Sequence, residues 1–353
     1  MKLNFNLETP GVVAEARNAK RGWNWFVELL VFVVMFFVVT IGEVLLLLPF
    51  EMSVMMTNED YIAAAMAGDV DRLTEVVMEI ASSNLMVIGT LFANLAMILL
   101  TMLFCKVIQK RKLRTIGFVK KNIFKEYGMG LGIGFAMFSV AVLLCMVTGA
   151  LHFEGFSPTF AAGTFVLFGL GYMIQGMAEE VLCRGYLMVS IGRRYPMWVA
   201  VILNSLFFAA LHLANSGISV LAFVNLTLFG VFASVYFIKR GNIWGIGAIH
   251  SIWNFVQGNF YGIKVSGMST SCTVFDSVAV EGREWMNGGA FGLEGGLAVT
   301  IVLVVATLFM LTKPAQDTAT ELWEEDAAVV EAKADEAKAQ IASGVIEQGV
   351  ETE

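Results

Sequence analysis

Charge and histidine are both scarce in this chain of 353 residues. Only 15% of it is Asp, Glu, Lys or Arg, and 57% is apolar. An ordinary soluble domain carries about 25% charged residues and roughly 45–50% apolar ones. This shortage excludes a disordered, collagenous or ordinary cytosolic protein and points to a membrane protein. The four cysteines (Cys105, Cys145, Cys183, Cys272) are far apart, and three lie inside apolar runs. They form neither a disulfide framework nor a zinc ribbon. With only His152, His212 and His250 present, any chemistry that needs imidazole has three candidates. The chain also lacks HExxH, the GxSG serine motif and the GxGD aspartate motif. The net charge of −7 belongs to one end: from Lys313 onward there are 11 acids and 3 lysines, while the remainder has 20 basic and 19 acidic residues. The body is close to neutral, and no nucleic-acid partner is expected.

What the chain has in quantity is long apolar runs. A helix of about 20 apolar residues spans the hydrocarbon layer. Eight stretches qualify as candidates: 25–50, 84–105, 127–151, 164–190, 197–213, 220–238, 243–261 and 297–312. The first is too long for the apolar region of a signal peptide, and no small-residue cleavage site follows it. A cytoplasmic N-terminus places 19 Lys and Arg residues inside and three (Arg72, Lys264, Arg283) outside, with Arg184 left in a span. That bias predicts eight spans with both termini cytoplasmic. The expected fold is an all-α polytopic membrane protein of the cell membrane, in contact with the lipid bilayer. Its parts are a cytoplasmic segment 1–24, a membrane domain 25–312 and an acidic tail 313–353. Outer loop 51–83 is long enough for a short amphipathic helix, and outer loop 262–296, rich in Gly and Ser, is expected to be irregular. Residues 321–343, rich in Ala, Glu and Lys, read as an exposed, solvated helix.

Ionisable residues inside spans are costly and therefore functional candidates. Glu28 and Glu43 lie near the ends of the first span, where they can snorkel or pair. The others, Glu179, Glu180, Arg184, His212 and His250, fall between residues 164 and 261. Glu180 and Arg184 are four apart and share a helix face, with the acid on the better, N-terminal side. Glu179 is rotated by about 100° from Glu180 and aligns instead with Gln175 and Cys183. The expected division is a structural ion pair, Glu180–Arg184, and an unpaired Glu179 facing a cavity, where it suits a general base. His212 follows Phe208 by four residues, and Asn254 follows His250 by four, so each pair shares a face. Counted from Tyr195, Glu179 and His212 both lie about 25 Å deep, whereas His250, counted from Arg240, lies about 15 Å deep. His152, beside Glu154, reads as a surface residue. Cys183, among carboxylates in an apolar setting, reads as inert. The glycines Gly128, Gly130, Gly132 and Gly134 open an apolar span and point to close helix packing rather than to a phosphate loop.

Three pieces, Glu179-Glu180-xxx-Arg184, Phe208-xxx-His212 and His250-xxx-Asn254, stand in the order of the pattern EExxxR, FxxxH, HxxxN. The region carrying them, about 164–261, resembles the CPBP (CAAX-protease and bacteriocin-processing, Abi) family, akin to the type II CAAX prenyl endopeptidases. Arg114-Thr-Ile-Gly-Phe118 and the late Gly-rich loop resemble it weakly. The resemblance implies an intramembrane peptidase acting on membrane-associated peptides or proteins. Glu179 then activates water held jointly with His212, His250 and Asn254 meet the oxyanion, and Glu180, Arg184 and Phe208 support them. Glu179, His212 and His250 could instead hold a divalent metal such as zinc with an open water position. Asn254 fits an oxyanion donor better than a zinc ligand, which favours the metal-free version. Two other functions use the same residues: a transporter or channel with a proton or ion relay, and a non-catalytic membrane scaffold or immunity protein.

Overall fold

The computed structural model describes residues 7–325 together with 327, 328, 331 and 335. A short helix α1 (Gly11–Ala16) precedes α2 (Trp25–Thr57), and α3 (Glu59–Ala67) and α4 (Val70–Ser82) follow. Then come α5 (Asn84–Val107), α6 (Ile123–Val147), α7 (Ala162–Gly192), α8 (Met197–Ala210), α9 (Val220–Arg240), α10 (Trp244–Phe255) and α11 (Leu297–Thr312). Five of these, α2, α5, α6, α7 and α9, are long and apolar enough to cross a membrane. The lipid-facing side of α2 leaves Phe37, Ile41 and Leu45 about 60% exposed. Such an apolar stripe matches acyl chains and would be a liability in water. The protein is a polytopic α-helical membrane protein.

Three of the eight expected spans are shorter helices. Helix α8 stops at Ala210, α10 runs into a wide π turn at Val256–Phe260, and α11 starts only at Leu297. Irregular backbone at membrane depth is tolerated where it lines a cavity, and the segments after α8 and before α11 do so. Outer loop 51–83 holds the last turns of α2 and two helices, α3 and α4, rather than one. Loop 262–296 contains a strand that was not expected. Leu151–Phe156 (β1) pairs antiparallel with Phe275–Ala279 (β2), with a bulge between Phe153 and Gly155. His152 is exposed on β1, as expected of a surface residue.

Glycines let α10 approach its neighbours closely. A side chain at Gly130 or Gly134 of α6 would collide with the backbone of Gly245 or Ile249, and one at Gly176 of α7 would lie 2.5 Å from the Ser251 nitrogen. This is the small-residue packing of membrane helices. Asn204 of α8 donates to Ser234 of α9 at 3.0 Å, a polar link of the kind apolar surroundings favour.

The region of residues 108–122 and the start of the tail are less exposed than their charge suggests. Arg111 is buried and donates to the carbonyls of Gly185 (2.8 Å) and Tyr186 (3.3 Å). These belong to a π turn, Val181–Met188, inside α7, whose wider winding leaves carbonyls for such a donor. Glu28 is fully buried and pairs with its neighbours: it accepts from the Trp23 backbone and Gln109 and lies 3.6 Å from Arg193. Glu43 is half-buried, and its Oε1 is buried without a hydrogen-bond partner among the described residues. Most of 321–343 falls outside the described residues. The helix over 318–325 that leads into it is docked rather than solvated: Arg114 stacks on Trp323, and Lys121 pairs with Glu321 and Glu325.

Candidate active site

The close approach at Gly176 and Ser251 sets adjacent residues face to face: Glu179 and Glu180 on α7, His250 on α10. Glu180 and Arg184, both fully buried, make an ion pair at 2.9 Å. The Arg184 guanidinium lies 4.7 Å from the Phe208 ring centre and donates to the Gly230 carbonyl at 3.3 Å. The same Glu180 Oε1 also meets His250 Nδ1 at 2.8 Å. Glu180 therefore does more than neutralise Arg184. A carboxylate on Nδ1 fixes that nitrogen as the donor and turns Nε2 the other way. There Nε2 stands 3.7 Å from Glu179 Oε2.

Glu179 is the less buried of the two acids, its side chain 21% exposed against 0% for Glu180. It opens on a cavity of about 200 Å³ that is also lined by Gln175, His212, His250, Asn254 and Glu294. This volume holds more than one water molecule. Gln175 bridges two of the candidates: its Nε2 donates to Glu179 Oε1, and its Oε1 accepts from Asn254 Nδ2 at 2.9 Å. Asn254 keeps a second amide hydrogen that this bond does not use.

His212 is not on a helix. It lies two residues past the end of α8, where its Nδ1 is 2.9 Å from the Phe208 carbonyl and its ring packs on Phe208. A carbonyl can only accept, so Nδ1 carries the hydrogen and Nε2 is left as the acceptor. Phe208 also lies edge-on to His250, at 5.9 Å between ring centres. Phe208 is thus the apolar wall between Arg184 and both imidazoles.

The structure brings all four expected catalytic candidates (Glu179, His212, His250, Asn254) to one cavity, and Glu180, Arg184 and Phe208 behind them. The count along straight helices underestimated the depth of His250. It started from Arg240 as if the α9–α10 turn lay at the surface. That turn is sunk instead: Asn242 and Ile243 are fully buried, and Asn242 bonds Thr318 from the tail. The alternative metal set, Glu179, His212 and His250, lines the same cavity. Among the described residues, no group of three His, Cys, Asp or Glu side chains is placed to hold a metal ion.

Sequence reasoning passed over several members of this cavity, Gln175 and Glu294 among them. Gln175 was visible only as a residue on the face of Glu179. Glu294 comes from the Gly-rich stretch before α11, where no helical period marks it. Cys183 is fully buried beside the site and is absent from the cavity lining, in keeping with an inert thiol.

Comparison with known proteins adds one finding. A family model described as type II CAAX prenyl endopeptidase Rce1-like matches residues 161–256. That stretch contains all three motifs, the family is a peptidase family, and it agrees with the family that the motifs resemble. No curated protein and no solved structure matches the chain significantly.

Proposed function

We propose, from that family match and the geometry around Glu179, that the protein is an intramembrane endopeptidase that hydrolyses membrane-associated peptides or proteins. Glu179 is the general base. Gln175 holds its Oε1, which leaves Oε2 to take a proton from a water molecule shared with His212 Nε2. The hydroxide attacks the scissile carbonyl, and the charge that develops on its oxygen is met by the Nε2–H of His250 as an imidazolium, whose Nδ1–H stays on Glu180, and by the free amide hydrogen of Asn254. Donors fixed in advance in a water-poor site are worth about 10²–10³-fold each at this step. Glu180 and Arg184 hold the imidazole in place. None of these steps uses a metal ion. The peptidase sits in the cell membrane with both termini cytoplasmic, as the charge bias favours.

The observation that carries this reading is that Glu179, the less buried acid of the pair, opens on the same cavity as His212, His250 and Asn254. The test uses purified protein in detergent and a set of internally quenched hydrophobic peptides, one of them prenylated near its C-terminus. Glu179→Gln is nearly isosteric and is expected to lower cleavage about 10²–10⁴-fold, the usual worth of a general base. Undiminished cleavage by that variant overturns the assignment.

A further inference from the structure

We propose that Glu294 is a second working carboxylate of the cavity, the general acid that protonates the departing amine. This inference rests on the peptidase reading above and assigns a step that reading leaves open. Glu294 lies outside the stretch that matches the family model.

The argument begins with position. Glu294 lines the cavity together with Glu179, His212, His250 and Asn254. Glu179 and His250 are 3.7 Å apart, and Glu294, which lines the same cavity as His212, supplies a second carboxyl there. Amide hydrolysis takes one proton from water and gives one to nitrogen, and two carboxyls in one cavity divide those roles between them.

The loop is built to hold this side chain. Glu294 is only 8% exposed. Its Oε2 accepts from the Ser266 backbone (2.8 Å), the Ser266 hydroxyl (2.9 Å) and Gln257 Nε2 (3.3 Å), and Oε1 takes none of these bonds. Ser266 has φ of 48°, a left-handed conformation that a residue other than glycine adopts at a cost. Asn225 of α9 clamps the segment by donating to the carbonyls of Glu294 (2.7 Å) and Gly296 (2.9 Å). A buried carboxyl with no structural counter-ion is an expensive element, and the Glu180–Arg184 pair already supplies the bracing.

Its protonation state suits the role. Burial pushes the Glu294 carboxyl above the usual carboxylate range, against the hydrogen bonds from Ser266 and Gln257. The titratable groups around it are His212 and Tyr172, with Glu179 and His250 across the cavity. Asn225 of α9, Gln257, Ser266, and Val299 and Leu303 of α11 do not titrate, and the Lys264 side chain is exposed.

The step balances. An O–H bond of water breaks, its proton goes to Glu179, and the oxygen bonds the carbonyl carbon as the C=O π pair moves onto the carbonyl oxygen, to return when the intermediate collapses. The C–N bond then breaks, the electron pair stays on nitrogen, and nitrogen takes the proton of the Glu294 carboxylic acid. One proton returned from Glu179 to Glu294 through water in the cavity resets both groups.

The experiment compares two probes: the quenched peptide that the wild-type protein cuts fastest, and a p-nitrophenyl ester of the same acyl sequence, whose phenolate leaves without a proton. Glu294→Gln is expected to lower amide kcat/KM about 10²–10⁴-fold and to change ester kcat/KM no more than a few-fold. Because the acid must be protonated to act, wild-type amide cleavage falls as pH rises through its pKa, and that alkaline limb is expected to vanish in the variant. Equal loss with both probes, or no loss with either, overturns the proposal. If Glu294→Gln does not fold, Glu294→Asp keeps an acid one methylene further back. It is then expected to show the amide-selective loss with the alkaline limb still present, and equal loss with both probes overturns the proposal there too. Glu179→Gln is run alongside: retained cleavage of both probes by it would sink the general-base role of Glu179, independently of Glu294, and no cleavage of any peptide by the wild-type protein would sink the peptidase reading itself.

Discussion

Glu179 and Glu180 are neighbours in the chain and live in different media. On one side of α7, Glu180, Arg184, Phe208 and the Nδ1 edge of His250 form a dry wall in which a charge meets an opposite charge at 2.9 Å. On the other side, Glu179, Gln175 and Asn254 border the cavity, linked by hydrogen bonds from side-chain amides. The wall is where stability is stored, and the cavity is where a proton can move. Such a pairing lets the costly buried charge orient the imidazole while leaving the second carboxylate free of it. A buried ion pair is weak evidence of net stabilisation, yet breaking it from one side is severe.

Three substitutions test this contrast. The largest effect is expected from Arg184→Met, which strands the Glu180 carboxylate inside the wall. It should cost about 3–5 kcal/mol, read as a lowered thermal unfolding midpoint by tryptophan fluorescence in detergent. Adding Glu180→Gln should recover part of that loss, because no uncompensated charge then remains. No recovery would mean that the wall is held by packing rather than by charge. Next is Gly176→Val, which drives a side chain against the Ser251 backbone. Overpacking of this kind costs about 1–3 kcal/mol, and cleavage should fall further than stability, since it parts His250 from both glutamates. Equal retention of cleavage and fold would show that the two helices need not touch there. The smallest effect on stability is expected from Gln175→Leu on the cavity side. The unfolding midpoint should move by less than about 1 kcal/mol, and cleavage should drop roughly tenfold, about what one hydrogen bond is worth. A fall in stability as large as that of Arg184→Met would erase the distinction between wall and cavity.

Much of the braced side was legible in the sequence, because it follows from helical period alone. The four-residue spacing separates Glu180, with Arg184, from Glu179, and puts His250 and Asn254 on one face. The cavity side was legible only in part. Depth arithmetic put His212 level with Glu179, and the two line one cavity, but it put His212 on a helix, since an apolar run does not reveal that α8 ends at Ala210. Arg111 counted as one of many cytoplasmic charges, and nothing in its neighbours shows that it turns inward to the carbonyls of the π turn. Glu294 and β2 lie in a Gly-rich stretch without period, where position is set by long-range bonds from Asn225 and Ser266 rather than by any local pattern. Regular elements announce themselves through repetition, and a turn that enters a cavity does not.

The contact at Asp317 carries a practical consequence. Its carboxylate accepts from the Gly11 backbone and from Thr320, so it latches α1 to the opening of the tail. Arg193, in turn, donates to the carbonyls of Ala16 and Arg21 and lies beside Glu28. Trimming the chain upstream of residue 317, as one would to discard an acidic extension before purification, would therefore unfasten the first helix and loosen the seat of the first span. Any such cut has to leave Asp317 and the docked residues 318–325 in place.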